Sequence, residues 1–265
     1  MSGPDPELAS KLQVDVPHAA RIWNYWMGGK DNFAADRAAG DAVVTVYPEI
    51  AVMARTSRGF LIRAVRYLAA EAGIRQFLDI GTGLPTMQNT HQVAQGIAPE
   101  SRIVYVDNDP MVLVHARALL SGSTAEGLTT YVEADYHEPD KIVAAAGDAL
   151  DLTQPVAIMF MGVLGYEPDL EVVRSIVSTT VAAAAPGSHL VLWDGTNTSP
   201  SVVDGANKLA ESGGVPYILR SPDEIASTFA GLELVEPGLT QITQWRRGDD
   251  PDDYIDAYGA VGRKP

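Results

Sequence analysis

Five short runs of β-branched or bulky apolar residues, 77–80, 103–106, 130–133, 156–161 and 189–193, recur along the chain with helical stretches between them. Connections of that length are crossovers rather than hairpins, so the strands are expected to lie parallel in one sheet with helices on both faces. This predicts a doubly wound α/β fold. The last two apolar runs, LELVE and LTQITQW, are separated only by Pro237-Gly238 and are expected to form an antiparallel hairpin at the sheet edge. With them the sheet is seven-stranded, mostly parallel, and ends on an antiparallel strand.

The segment before the first strand reads differently. Ala19, Ile22, Trp23 and Trp26 recur at helical spacing and stop at Gly28-Gly29. A second helix is expected through Ala34 and Val43, capped by Asp31 or Asn32 and closed by Pro48. A third carries Phe60, Leu61, Ala64, Val65 and Leu68 on one face and stops at Gly73. The expected organisation is a loose arm over residues 1–16, a helical cap over 17–55 and the α/β domain over 56–265. The cap is either a lid hinged at the two glycines or a permanently docked helix.

Composition excludes several classes. There is no cysteine, hence no disulfide, thiolate metal site or cysteine nucleophile, and a reducing cytoplasmic setting is expected. Acidic residues number 34 against 19 basic, a net charge of −15 that disfavours nucleic acid. The chain shows no membrane span and no signal-peptide pattern. The five histidines have no paired metal-ligand spacing, so no metal is assigned.

The chemistry is expected at FLDIGTGLPT. Asp79 sits near the end of a strand that breaks into Gly81-Thr82-Gly83, a turn that lets backbone approach a ligand at the start of the next helix. Thr86 stands where a dinucleotide fingerprint has its third glycine. After the next strand, Asp107 occupies a position from which a carboxylate accepts both hydroxyls of a ribose, while Asp109 and Pro110 open the following helix. Asp135 ends a third strand and is followed by Tyr136 and His137. All three aspartates are expected on the ligand-binding edge of the sheet.

A glycine loop with a ribose acid suits nicotinamide dinucleotides and S-adenosylmethionine alike. The missing third glycine, the acid inside the strand and the terminal hairpin favour the methyl donor. The chain resembles class I S-adenosylmethionine-dependent methyltransferases, with a Rossmann-like sheet, in FLDIGTG, YVDND, EADY and APGSHLVLWD. It is similar nearly end to end to an actinobacterial methyltransferase family long catalogued as a domain of unknown function. PHAARIWNYWMGGKDNFAADR, VYVDNDPMVLVHARALL, GLELVEPGL and YGAVGRKP carry that likeness.

The resemblance implies donor binding by Asp79, Gly81, Thr82, Gly83, Asp107, Asn108, Asp135 and Tyr136. It implies a wall of Phe160, Met161 and Gly162, and a lid whose polar residues are Arg21, Asn24, Lys30 and Asn32. Many relatives have Leu-His-Phe where this chain has Leu164-Gly165-Tyr166, so that histidine is missing. By position, His137 and Tyr166 are the candidates for a base toward a small-molecule acceptor. A donor-sensing binding protein and a nicotinamide oxidoreductase are the alternative readings.

Overall fold

The computed structural model describes residues 13–85, 88–112, 126–248 and 254–265. Three helices precede the sheet: α1 (Ala19–Trp26), α2 (Ala34–Val44) and α3 (Ile50–Ala70). Then follow β1 (Gln76–Ile80), α4 (Thr90–Ile97), β2 (Arg102–Asp107), β3 (Leu128–Glu133), α5 (Pro139–Ala146) and β4 (Ala157–Met161). The remainder comprises α6 (Leu170–Ala183), β5 (His189–Gly195), α7 (Pro200–Glu211), α8 (Pro222–Ser227), β6 (Glu233–Leu234), β7 (Thr240–Gln241) and β8 (Ala257–Arg263). The helix begun at Pro110 leaves the described residues after Val112, and residues 1–12 of the expected arm, Thr86 and residues 249–253 also lie outside them.

The sheet has eight strands rather than the expected seven and runs β3-β2-β1-β4-β5-β8-β6, with β7 also on β8, β1 to β5 parallel and β8 antiparallel to β5. This is the doubly wound α/β arrangement the alternation predicts. The terminal hairpin does not form. Both β6 and β7 pair with β8, end to end along its outer edge, so the reversed strand is the C-terminal AYGAVGR. That strand is rich in Gly and Ala because its surroundings leave no room for more. A Cβ on Gly259 would stand 2.6 Å from Trp193 Cβ, and one on Gly262 2.9 Å from Phe229.

Strand periodicity divides the sheet into two faces. Leu78, Ile80, Val104, Val106, Ile158 and Phe160 point into one apolar cluster, covered by α5, α6 and α8. Phe77, Ile103, Tyr105, Ala157, Met159 and Trp193 point into the other, which also takes Ile22, Trp26, Val43, Phe60 and Leu68 from α1 to α3. The N-terminal helices therefore share a core with the sheet, and α3 runs continuously across position 55.

Helix α1 ends where Gly28 turns at φ +79° and Gly29 N–H reaches Asn24 O at 2.8 Å. Helix α2 is not capped by Asp31 or Asn32. Its N-cap is Phe33, whose N–H donates to Asp36 Oδ2 at 2.8 Å. The same fully buried carboxylate accepts from His18 N–H at 2.9 Å and Arg21 Nε at 3.2 Å, pinning the starts of α1 and α2 together. Among the described residues no helix is long and apolar enough to cross a membrane.

Candidate active site

At the carboxyl ends of β1, β2 and β4 the sheet opens into a cleft of about 300 Å³, roofed by α1. Its position follows from the two-residue period. Asp79, Asp107, Met161 and Trp193 all project on the sheet face that carries the N-terminal helices, and all four line the cleft.

The loop after β1 is held against β2. Gly81 N–H and Thr82 N–H donate to Val106 O at 2.8 and 3.2 Å, and Gly83 N–H donates to Asp107 Oδ2 at 2.8 Å. Gly81 lies at φ +70°, and a Cβ there would meet Val163 Cγ2 at 2.4 Å. Gly83, at φ +65°, has nothing among the described residues within 4 Å of its Cβ position.

The helix does not follow the loop directly. α4 begins only at Thr90, and its first turn is used within the protein: Thr90 Oγ1 donates to Asp79 Oδ2 at 2.7 Å, and His91 N–H donates to Tyr105 Oη at 2.9 Å.

Burial raises the Asp79 carboxyl to about 6, against the opposing pull of the Thr90 hydroxyl and the Arg58 guanidinium. Asp107 is pushed up by burial as well, and the N–H groups of Asp109 and Gly83 hold it back. Arg58 and Thr90 are thus part of the site although the sequence reading did not name them.

The Asp79 shift carries a stability consequence. Its carboxyl binds a proton more readily folded, at about 6, than at its ordinary 3.8, so the folded state holds more protons between those values. Stability from this group is therefore present at low pH and lost as pH rises through about 6. In urea unfolding, the native protein is expected to lose stability relative to Asp79→Asn between about pH 4 and about pH 7. Parallel profiles for the two proteins would refute the shift.

At the third strand end, Asn108 Nδ2 donates to Asp135 Oδ2 at 3.0 Å. His137 lies between two carboxylates, with Nδ1 2.6 Å from Asp135 Oδ1 and Nε2 2.7 Å from Glu167 Oε2. Burial disfavours the charged ring, but hydrogen bonds to Glu167 and Asp135 outweigh it and raise the pKa. When the ring is protonated, both nitrogens donate to these carboxylates and neither is free to accept a proton. Tyr136 stacks on His137 at 4.2 Å, and burial pushes its phenol up to about 12.

The wall after β4 differs from expectation at one position. Met161 and Gly162 line the cleft, but Phe160 is fully buried in the opposite core, since consecutive strand residues face opposite ways. A Cβ on Gly162 would meet Trp193 Cη2 at 2.6 Å, and Gly162 N–H donates to Trp193 O at 2.9 Å. Trp193, unnamed by the sequence reading, therefore forms part of that wall. Tyr166 lines the cleft, edge-on to Tyr217 at 5.0 Å, with its phenol raised by burial.

None of the four polar residues expected in the lid lines the cleft. Arg21 is buried on Asp36 and on Val16 O, and Asn24 Oδ1 accepts from Asp31 N–H and Asn32 Nδ2, both at 3.0 Å. Lys30 is exposed. These groups tie the cap to itself, and the opposite face of α1 roofs the cleft with Ala20, Trp23 and Met27. His18 anchors that face, its Nδ1 2.9 Å from Asp109 Oδ2.

The family model described as S-adenosyl methyltransferase matches residues 5–265. The chain belongs to the S-adenosyl methyltransferase family. A DUF574 family protein from Streptomyces avermitilis is 44% identical, with 96% of this chain and 100% of that one covered and a TM-score of 0.90. A putative methyltransferase from Thermobifida fusca is 38% identical, over 100% and 99% of the two chains, with a TM-score of 0.88. Both sources are actinobacteria. The S-adenosylmethionine-dependent methyltransferase SibL shares only the fold, at 16% identity over 82% of this chain and 57% of that one, TM-score 0.50. No curated protein matches. As a member of this S-adenosyl methyltransferase family, the chain is an S-adenosylmethionine-dependent methyltransferase with the class I fold.

Proposed function

We propose that the cleft takes S-adenosylmethionine and that the acceptor is a small molecule. The observation that carries this reading is the convergence on one sheet face of Asp79, the Gly81–Gly83 loop and Asp107 beneath α1. The donor supplies a methyl group activated on a sulfonium. Asp107 accepts the ribose hydroxyls with the lone pairs left by Gly83 and Asp109, and the open side of Gly83 admits the donor's chain. Asp135 and Asn108, fixed by their mutual hydrogen bond, and Tyr136 flank the adenine side. The residues fit the donor: two carboxylates and a loop with no side chain at its open glycine.

His137 acts in this reading as a clamp between Asp135 and Glu167 rather than as a base. Methyl transfer is an in-line displacement, so the chain's main contribution is to align the reacting atoms and exclude water, which the apolar roof of Trp23 and Met27 supplies. A small acceptor fits a cleft covered by a helix in a chain of net charge −15.

Thermal unfolding tests the reading. A ligand that binds only the folded protein at about 100 times its Kd adds about 2.7 kcal/mol, a rise of several degrees in Tm. S-adenosylmethionine and S-adenosylhomocysteine are expected to produce it, and NAD to produce none. Stabilisation by NAD alone would overturn the reading.

A further inference from the structure

Behind the donor cleft lies a second, apolar lobe of about 50 Å³, between α1, α2 and α7, and no charged side chain among the described residues lines it. The residues that lobe and cleft have in common are Trp23, Tyr166, Trp193 and Tyr217. They are all aromatic. Trp23 lies 5.9 Å from Trp193, and Tyr166 meets Tyr217 edge-on. Tyr217 lies flat over Gly165, where a Cβ would stand 2.2 Å from its ring, so its position is set by backbone.

We propose that this junction is the acceptor site, and that the acceptor is a small neutral molecule with a hydroxyl at the two tyrosines and an apolar end in the lobe. The inference rests on the methyltransferase reading of the cleft. Its chemistry comes from which hydrogen-bonding groups are already committed. Tyr217 Oη donates to Asp194 Oδ1 at 2.7 Å and accepts from Gly195 N–H at 3.2 Å, so toward a ligand it can only accept. Tyr166 Oη has no partner among the described residues and is free to donate.

A hydroxyl both donates and accepts, so it satisfies the two together. A carboxylate offers no donor to Tyr217, and an ammonium leaves the Tyr166 O–H without an acceptor. A cation is not required by Asp194 either, because Gly165 N–H and Tyr217 bind its Oδ1 and the Arg220 guanidinium acts on its charge. Burial raises that carboxyl to about 6, which agrees with an interior site rather than one open to water.

The test uses calorimetry on the full chain saturated with S-adenosylhomocysteine, with 4-ethylphenol as the probe and ethylbenzene and 4-ethylbenzoate as its counterparts. The phenol is expected to bind at least about tenfold more tightly than either, a difference of about 1.4 kcal/mol. Ala206→Phe, which puts a ring into the lobe from α7, is expected to weaken 4-ethylphenol about tenfold or more while S-adenosylhomocysteine affinity stays unchanged. Tyr217→Phe keeps the ring and is expected to reduce the preference for phenol over ethylbenzene, with the Tyr166 hydroxyl still able to donate.

Ethylbenzene or 4-ethylbenzoate binding as well as the phenol, or Ala206→Phe binding it like the native protein, would overturn the inference and leave the donor reading standing. Failure of S-adenosylhomocysteine itself to bind would remove the donor reading and this inference with it.

Discussion

Asp107→Ala is expected to weaken S-adenosylhomocysteine binding by about 100-fold or more, because two effects fall on the same carboxylate. The first is the loss of charge-assisted hydrogen bonds to the ribose, worth about 1.5–3 kcal/mol each. The second is local. Asp107 also accepts Gly83 N–H at 2.8 Å and Asp109 N–H at 2.9 Å, so alanine releases the glycine loop that lines the cleft. Asp107→Asn retains a carbonyl oxygen for Gly83 and is expected to lose about tenfold. Calorimetry on variants whose circular dichroism matches the native protein measures both. Native affinity in folded Asp107→Ala would move the ribose site elsewhere.

Gly81→Ala is expected to give the largest loss of stability at the site. Holding an L-residue at the φ of +70° found there costs about 1–2 kcal/mol. The added Cβ would also stand 2.4, 2.6 and 2.9 Å from Cγ2, Cβ and Cγ1 of Val163, so β1 and the loop after β4 must separate. Together these are expected to cost about 3 kcal/mol or more, roughly 6–12 °C in Tm for a chain of this size. Val163→Ala removes the two methyl groups but leaves its Cβ, so the double variant is expected to recover part of the steric loss and none of the backbone term. A double-mutant cycle reads that coupling. A native Tm in Gly81→Ala would show that the loop yields without cost.

The parallel sheet was legible because its strands are nearly continuous apolar runs, and runs of that kind belong to strands covered on both faces. The candidate cleft was legible for a related reason. Asp79, Asp107 and Asp135 interrupt or end such runs, and a carboxylate at the end of a parallel strand stands at the ligand-binding edge. The side on which Phe160 falls follows once the register of β1 against β4 is known. Counting by twos from Asp79 through its partner Met159 places Met161 on the cleft face and Phe160 on the other.

Other features carry no local signal. β8, AYGAVGR, has four of its seven residues alanine or glycine, which are weak strand formers, and its fit between Trp193 and Phe229 explains the two glycines. β6 and β7 look like a hairpin because apolar residues flank a Pro-Gly turn, yet the strand between them and β5 arrives from the far end of the sequence and takes their pairing. Arg21 and Asn24 read as polar groups waiting for a ligand. Their partners are Asp36 and Asn32, and the packing of α1 against α2 decides that.

The sequence by itself determined the alternation of β1 to β5 with helices, the glycine turn and the aspartates at the strand ends. These depend on periodicity and backbone conformation, which are properties of neighbouring residues. Only the tertiary structure decided that His137 is held between two carboxylates and that Trp23, Tyr166, Trp193 and Tyr217 meet at one junction. Those contacts bring together residues from different elements, with His137 and Glu167 30 positions apart and Trp23 and Tyr217 almost 200, and the hydrogen bonds left free at such a junction depend on which partners the fold has already supplied.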